Sequence, residues 1–388
     1  MRPNDVAVIG GGAVGATAAY DLVRRGVRVT LFERGGIAGE STGRAAGVLY
    51  GAFAEDRDAA IGRRSIERFR ELSGEGDFEF RETPYVWLAR EGDERRGEAI
   101  ETQVRRMRVH GVDVELLAPG ELAEVAPALR TDDVGAAAVA RDAGRTDPAS
   151  YARLLVRKAE REGATVRTGT TVSLDAGFDG AVVLDDGQES FDAVVVAAGA
   201  HTKRLLADAG HRIATKPYRV QALTAGFQAR GEPNGSRRTT DDAGVPMVYD
   251  ATAGFYLRPH PDGLLIGDGT EEVESDPDEW ERGADPEFVE SALERAGERL
   301  AVEGLAVEEA WAGLCTATPD RNPLLGWLDE DRGLYVATGW QGHGFMRSPA
   351  LGERIARELC GEPGIDAFDP TRFTGEEEFA IVEGMAVD

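Results

Sequence analysis

Two hydrophobic rhythms alternate along the chain. Short continuous apolar runs, the pattern of strands covered on both faces of a parallel sheet, occur at Val6–Ile9, Ala193–Ala197 and Leu334–Ala337. Each leads into glycine-containing sequence: Gly10 to Gly15, Ala198-Gly199-Ala200, and Gly339 to Gly344. Between the first of these turns and a second strand at Val27–Phe32, apolar residues recur at helical spacing over Ala16–Arg25, and Gly26 ends that helix. Ser150–Glu162 predicts another helix, with Asp147 and Pro148 near its start and Gly163 past its end, and Ser348–Leu359 predicts a last one. Thr165–Val172 and Ala181–Leu184 read as strands, the latter entering a hairpin turn at Asp185-Asp186-Gly187. Phe255–Leu257 and Leu264–Ile266 predict a second hairpin around Pro259-His260-Pro261-Asp262-Gly263.

The strands that end in glycine loops fall in residues 1–80, 146–215 and 312–375, whereas 81–145 and 216–311 are more alternating and more charged. This predicts an α/β protein in which a nucleotide-binding domain is assembled from three discontinuous pieces. A second sheet domain is inserted twice, and 376–388, with Glu376-Glu377-Glu378, forms a solvated acidic tail. The length of 388 residues suits that organisation.

Charge narrows the possible partners. The chain has 70 Asp and Glu against 44 Lys and Arg, a net charge of −26, which argues against nucleic acid or an anionic membrane as a partner. No apolar run is long enough to predict a spanning helix, and the first one belongs to the glycine turn rather than to a signal peptide. Two cysteines, Cys315 and Cys360, suit a reducing cytoplasm. Only Lys158, Lys203 and Lys216 are lysines. A carboxylate-rich, lysine-poor surface fits a protein soluble in concentrated salt, where repulsion is screened within about 3 Å at 1 M. The alternative is a GC-rich genome in which arginine codons displace lysine.

The first turn carries the strongest chemical signal. Gly10, Gly12 and Gly15 match the dinucleotide fingerprint: a tight turn, a close backbone approach to a pyrophosphate, and close helix–strand packing. The pyrophosphate then faces the helix N-terminus around Ala13 and Val14, where unpaired amides and the dipole favour negative charge. Glu33, at the end of the second strand, is positioned to accept from ribose hydroxyls and disfavours a 2′-phosphate. Arg34, Val172, Ala198 and Gly199 complete this expected nucleotide contact set. NAD and FAD share the motif, so it does not choose between them.

Two further segments do. Gly39-Glu40-Ser41-Thr42-Gly43-Arg44-Ala45-Ala46-Gly47 resembles the second flavin-contacting loop of the D-amino-acid-oxidase-like FAD superfamily. The closing segments Thr318 to Gly326 and Gly333 to Met346, including Gly339-Trp340-Gln341-Gly342-His343-Gly344-Phe345, are similar to the C-terminal flavin region of its sarcosine, dimethylglycine and glycine oxidizing branch. The resemblance spans the nucleotide domain and is diffuse through the inserted one. It implies a Rossmann-like FAD-binding domain with an inserted antiparallel-sheet substrate domain. FAD contacts are expected from Ser41, Thr42, Gly43, Arg44, Gly47, Gly339, Gln341, Gly342, His343, Gly344 and Phe345. The backbone amides opening the last helix would face the electron-rich edge of the flavin.

Three departures from these relatives sharpen the expectations. Where monomeric sarcosine oxidases carry a flavin-linked cysteine, the matching position is Gly313, with Cys315 two residues on, so FAD is expected to be non-covalent. Where they place a lysine to assist reaction with oxygen, this chain has Leu265, which points to a dehydrogenase with another acceptor, a protein or a quinone. The usual carboxylate anchors are replaced by Cys315 and Met346. Arg258, two residues from Tyr256 on a predicted strand, is the first candidate to take over, with Arg347 and Arg44 in reserve. Tyr249, Tyr256 and Trp340 are candidate pocket walls, and the catalytic candidates are Tyr256, Arg258, His343 and Met346.

Hydride transfer from a neutral amine needs no protein base, in keeping with a chain that has no Ser–His–Asp series, CxxC or HExxH and no metal-ligand spacing among its five histidines. The expected substrate is a secondary or tertiary amino acid, an N-methylglycine or a cyclic imino acid. D-Amino acids and 2-hydroxy acids or polyol phosphates remain open within the superfamily. A phosphate would require converging arginines, of which Arg237-Arg238 is the candidate pair. An NAD-dependent dehydrogenase and a flavoprotein subunit of an electron-transfer complex are the rival readings.

Overall fold

The computed structural model describes residues 3–382 apart from 186, 229–243, 262 and 269. Arg237-Arg238 and parts of both anticipated hairpin turns lie outside the described residues.

A six-stranded sheet runs in the order Leu324–Asp329, Leu334–Thr338, Ala193–Val196, Asp5–Ile9, Arg28–Phe32, Thr165–Arg167. All neighbours are parallel except the antiparallel edge strand Leu324–Asp329. Its central residues, among them Val6, Val8, Val194 and Val195, are fully buried because both faces are covered. On one face lie the helices Ala13–Val23, Pro148–Arg161 and Gly344–Leu359; on the other, the hairpin Ala181–Leu184/Gly187–Ser190 and the helix Thr202–Asp208 close a second apolar cluster. The helix Ala13–Val23 can pack this tightly because six of its ten buried residues are alanine, glycine or threonine. Where it meets the last helix, a Cβ on Gly352 would sit 2.4 Å from the Cβ of Thr17.

An eight-stranded sheet is built in the order Glu303–Ala317, Lys216–Gln228, Gly263–Asp268, Phe255–His260, Met247–Asp250, Tyr85–Arg90, Val134–Ala140, Val114–Leu117. It is antiparallel apart from the pairing of Met247–Asp250 with Tyr85–Arg90. One face packs on the helix Pro286–Arg299 through Leu257, Leu264, Ile266 and Leu223. The opposite face looks toward the parallel sheet. Thus the α/β class with a mostly antiparallel second sheet is realised.

The element boundaries differ from the sequence reading in informative ways. The strand expected to reach Val172 stops at Arg167 because its partner ends at Phe32; beyond it, Gly169 and Thr170 donate to the carbonyls of Gly35 and Glu33. The last helix starts at Gly344 and continues through Pro349. Proline has no N–H for the carbonyl of Phe345, and the Ser348 hydroxyl donates to that oxygen instead (2.8 Å). The acidic tail is corrected as far as Val382. Ile381 is buried against Tyr218 and Ala317, and Lys216 donates to the Phe379 carbonyl at 2.8 Å while lying over its ring. The alternation of Phe379 and Ile381 with exposed neighbours supplies the apolar edge that docks it.

Candidate active site

A cavity of about 450 Å³ separates the two sheets. It opens at the carboxyl ends of the parallel strands, past Ile9, Phe32 and Ala197, the usual position for a ligand in such a sheet.

At one end the backbone dictates the geometry. Gly10 has φ +114°, and a Cβ there would lie 2.4 Å from the Ala197 carbonyl oxygen. A Cβ on Gly15 would approach the Gly10 carbonyl oxygen to 2.0 Å, so this glycine stands behind the cradle and lets strand and helix touch. Gly12 caps the helix without a side-chain hydrogen bond, and no acidic residue occupies the first turn. The cradle therefore offers a bare positive helix end of the kind that takes a pyrophosphate. The Ala13 amide is held by the Thr42 hydroxyl (3.0 Å). Glu33 lines the cavity and is fixed by the amides of Gly11 (2.7 Å) and Gly35 (2.8 Å), which leaves further lone pairs for ribose hydroxyls.

Next to this end, Asp278 reaches over from the segment that follows the strand Gly263–Asp268. It pairs with His201 (3.2 Å), Arg34 (3.5 Å) and Arg204. Burial works against its ionised form, but these three groups hold its carboxyl below the usual aspartate range. All four residues line the cavity.

At the other end the last helix begins. Gly342, His343, Gly344, Phe345 and Met346 line the cavity, with Gln341 in an unusual left-handed conformation (φ +49°) beside them. That conformation is over-determined: the Gln341 amide donates to Thr316, its side-chain oxygen accepts from Thr318, and its side-chain nitrogen donates to the Val382 carbonyl. The docked tail thus braces this turn. His343 is buried, with Nε2 3.1 Å from the Tyr50 hydroxyl and its ring edge-on to Tyr50 and Phe53. Burial, reinforced by the Arg347 guanidinium, pushes its pKa down to about 3, so it is neutral at pH 7. The positive influence at this end is therefore the helix terminus rather than an imidazolium.

The remaining expected residues divide into those on the cavity wall and those behind it. Arg34, Ser41, Thr42, Arg44, Gly47, Val172, Ala198, Gly199 and Tyr256 line the cavity. Gly43 and Gly339 stand behind it, each where a Cβ would collide: with the Ala38 carbonyl oxygen at 2.3 Å and with the Thr318 methyl at 2.4 Å. Arg258 also lies behind the wall. Its Nε donates to the Ala46 carbonyl and its Nη1 to the Pro259 carbonyl (2.7 Å), and burial beside Arg145 lowers its pKa to about 10. Arg347 is buried over the Phe53 ring, 3.3 Å from Asp58. Leu265 is paired with Arg258 in the same sheet and is buried. Tyr249 is buried beside Tyr256, and Trp340 lines the cavity.

Arg44 is the reserve candidate that the wall does present. Its Nη1 donates to the Ala312 carbonyl (3.2 Å), its plane faces Trp280, and its Nε is buried with no hydrogen-bond partner among the described residues. Packed against it lie Trp311 and Gly313, with Cys315 next along, alternate residues of one long strand. Trp311, Tyr218 and the Asp278 clasp were not anticipated. The period-two spacing of Trp311, Gly313 and Cys315 is the signal that could have revealed the first. Among the described residues no cluster of metal-ligating side chains is assembled, and no helix is long and apolar enough to cross a membrane.

A dinucleotide cradle at the carboxyl ends of a parallel sheet, sharing one cavity with the face of an antiparallel sheet, defines a dinucleotide-dependent oxidoreductase. The chain belongs to the FAD dependent oxidoreductase family, DAO, whose model matches residues 5–358. Over 95% of its length it is similar to the L-proline dehydrogenase of P. horikoshii, at 29% identity and a TM-score of 0.84, covering 97% of that chain. It is 28% identical to a glycine oxidase of Geobacillus kaustophilus over 91% of this chain and 92% of the relative. It also resembles the iminodiacetate oxidase of Chelativorans sp. BNC1, at 25% identity and a TM-score of 0.76, with 94% and 98% of the two chains covered. It is accordingly an FAD-dependent oxidoreductase acting on CH–NH groups of amino acids or amines.

Proposed function

We propose that the substrate is a small secondary or tertiary amino acid, of the N-methylglycine or cyclic imino acid type, and that the electrons pass to an acceptor other than oxygen. The similarity to a proline dehydrogenase and to an iminodiacetate oxidase supports the amine class. A primary amino acid, glycine, is the second reading, favoured by the likeness to glycine oxidases.

The observation that carries the acceptor part is the location of the lysines. Lys158 pairs with Glu75, Lys203 with Glu274, and Lys216 with the tail, and none of the three lines the cavity. A cation held beside the redox site would stabilise charge developing on oxygen, and here no lysine serves that purpose.

The residues fit FAD: a glycine cradle closed to any Cβ, a carboxylate poised for ribose, and a helix terminus at the far end. We assign residues 1–80, 146–215 and 318–375 to FAD and the inserted segments to the substrate; the boundary expected at 312 moves past Ala317 because Glu303–Ala317 is one strand of the second sheet. Bound FAD would supply the two-electron acceptor for the C–H bond beside nitrogen. The protein's own part is to bind and orient. The amides of Gly12 and Val14 and the Glu33 carboxylate hold the nucleotide, while the helix start at Gly342 to Gly344 faces the electron-rich edge of the ring. Arg44 takes the substrate carboxylate in a bidentate pair. Tyr256, Trp311 and Met346 exclude water around the reacting carbon. Gly313 occupies the position where relatives carry the linked cysteine, and we read Cys315, two residues on along the same wall, as unlinked, so denaturation should release all flavin into the supernatant. The acidic, lysine-poor surface suits a concentrated-salt cytoplasm, and the acceptor is then a protein or a quinone.

Anaerobic mixing of the flavin-loaded protein with N-methyl, cyclic, primary and D-amino acids tests this directly. Bleaching by the secondary amines, with slow return of colour in air, is expected. Bleaching by glycine alone, or colour restored by air within the mixing time, would overturn the respective part.

A further inference from the structure

One row of paired residues crosses the cavity side of the eight-stranded sheet: Trp87, Tyr249, Tyr256, Gly267, Ala222, Trp311. Directly paired residues share a sheet face, and four of these six are large aromatics. The two smallest residues lie together between Tyr256 and Trp311. Tyr256, Ala222 and Trp311 all line the cavity.

Gly267 has no backbone reason to be glycine. It lies in an ordinary strand, outside the left-handed region, where glycine weakens the ladder. The atoms nearest to a Cβ at this position would all belong to the Tyr256 side chain: 2.1 Å from Cζ, 2.1 Å from the hydroxyl oxygen and 2.6 Å from Cε1. The tyrosine ring therefore reaches from its own strand across the next, and its hydroxyl end rests over Gly267. Any side chain there would displace the ring from this seat.

We propose that Gly267 is a positioning residue for substrate recognition. The space it leaves seats Tyr256 across the sheet, so that the hydroxyl meets the carboxylate of a small amino acid held between Tyr256 and Trp311 over Ala222. Ala222 and Gly267 together give the trough its depth, and a methyl group added to either reduces the room for the substituent on the reacting carbon. This inference rests on the amino-acid reading above.

The test is a double-substitution cycle on the flavin-loaded protein. Its readouts are the amine concentration for half-bleaching, the acetate concentration that shifts the visible flavin band by half, and bound flavin per chain. Gly267→Ala is expected to raise both concentrations about tenfold, as loss of a hydrogen bond to a charged group would, with flavin content unchanged. In a Tyr256→Phe background, which keeps Cζ, Gly267→Ala should still disturb binding. In a Tyr256→Val background, which removes the ring, it should add less than about twofold, within ordinary non-additivity. Equal losses in the Val and wild-type backgrounds, or no loss in wild type, would overturn the proposal. If Gly267→Ala alone sheds flavin, retention by the Tyr256→Val/Gly267→Ala double variant upholds the clash with the ring, and loss in both refutes it. A wild-type protein that binds acetate but is bleached by no amine defeats the substrate reading instead, and the acetate arm still decides the role of Gly267.

Discussion

The two walls of the cavity are built by different means. On the nucleotide side we take the decisive groups to be backbone, the turns at Gly12 to Val14 and Gly342 to Gly344, set by Gly10, Gly15 and Gly339, where a Cβ would collide. On the sheet side they are side chains, Tyr256 and Trp311, placed by register between strands far apart in the chain, and Arg44 meets them from the short helix Ser41–Arg44 of the nucleotide side. A side-chain wall can change without disturbing the cofactor. Damage to the first should therefore strip flavin, and damage to the second should alter substrate response at full flavin content.

The largest expected effect is on the backbone wall. Gly10→Ala forces a side chain into a left-handed turn and against the Ala197 carbonyl oxygen. Strain and overpacking of this kind cost about 2–4 kcal/mol. The purified variant should be colourless, with a lower unfolding midpoint; a yellow protein of normal stability would break the distinction. Next comes the Asp278 clasp, which joins the two walls. Its pairs are half-exposed, and such pairs are worth about 0.2–1 kcal/mol each, so Asp278→Asn should speed flavin release about three- to tenfold. Added salt should shrink that difference. An unchanged release rate would remove the clasp from the account.

A smaller effect concerns His343. Its folded pKa of about 3 lies below the ordinary value of 6.5, so the folded state resists a proton that the unfolded chain accepts. Its contribution to stability is present above pH 6.5 and is lost as the pH falls from there toward 3. Replacing it with glutamine, which keeps a partner for Tyr50 without titrating, should flatten that acid limb in unfolding measured at stepped pH. An identical limb would assign the loss to carboxylates.

The same contrast explains what the sequence made legible. Gly10, Gly12, Gly15 and Glu33 lie within one strand–turn–helix–strand unit, so spacing along the chain reports their spacing in space. The closing Gly342-His343-Gly344 turn is equally local. The row from Tyr256 through Gly267 and Ala222 to Trp311 draws on three non-consecutive segments, and strand register is not written in any one of them. Arg258 illustrates the difficulty. Its spacing from Tyr256 puts both on one face of the strand, yet the carbonyl of Ala46, from a distant loop, claims its guanidinium. The tail misled for a related reason: three glutamates read as solvated, while Phe379 and Ile381 just beyond them find an apolar edge that only the folded sheet provides.

The most direct measurement compares Arg44→Ala with Arg258→Ala by anaerobic bleaching, with flavin content determined for both. With Arg44 as the carboxylate anchor, Arg44→Ala should raise the half-bleaching amine concentration about tenfold to a hundredfold at full flavin content, and Arg258→Ala should leave it near the wild-type value. The reverse pattern would contradict the assignment of the substrate carboxylate to Arg44.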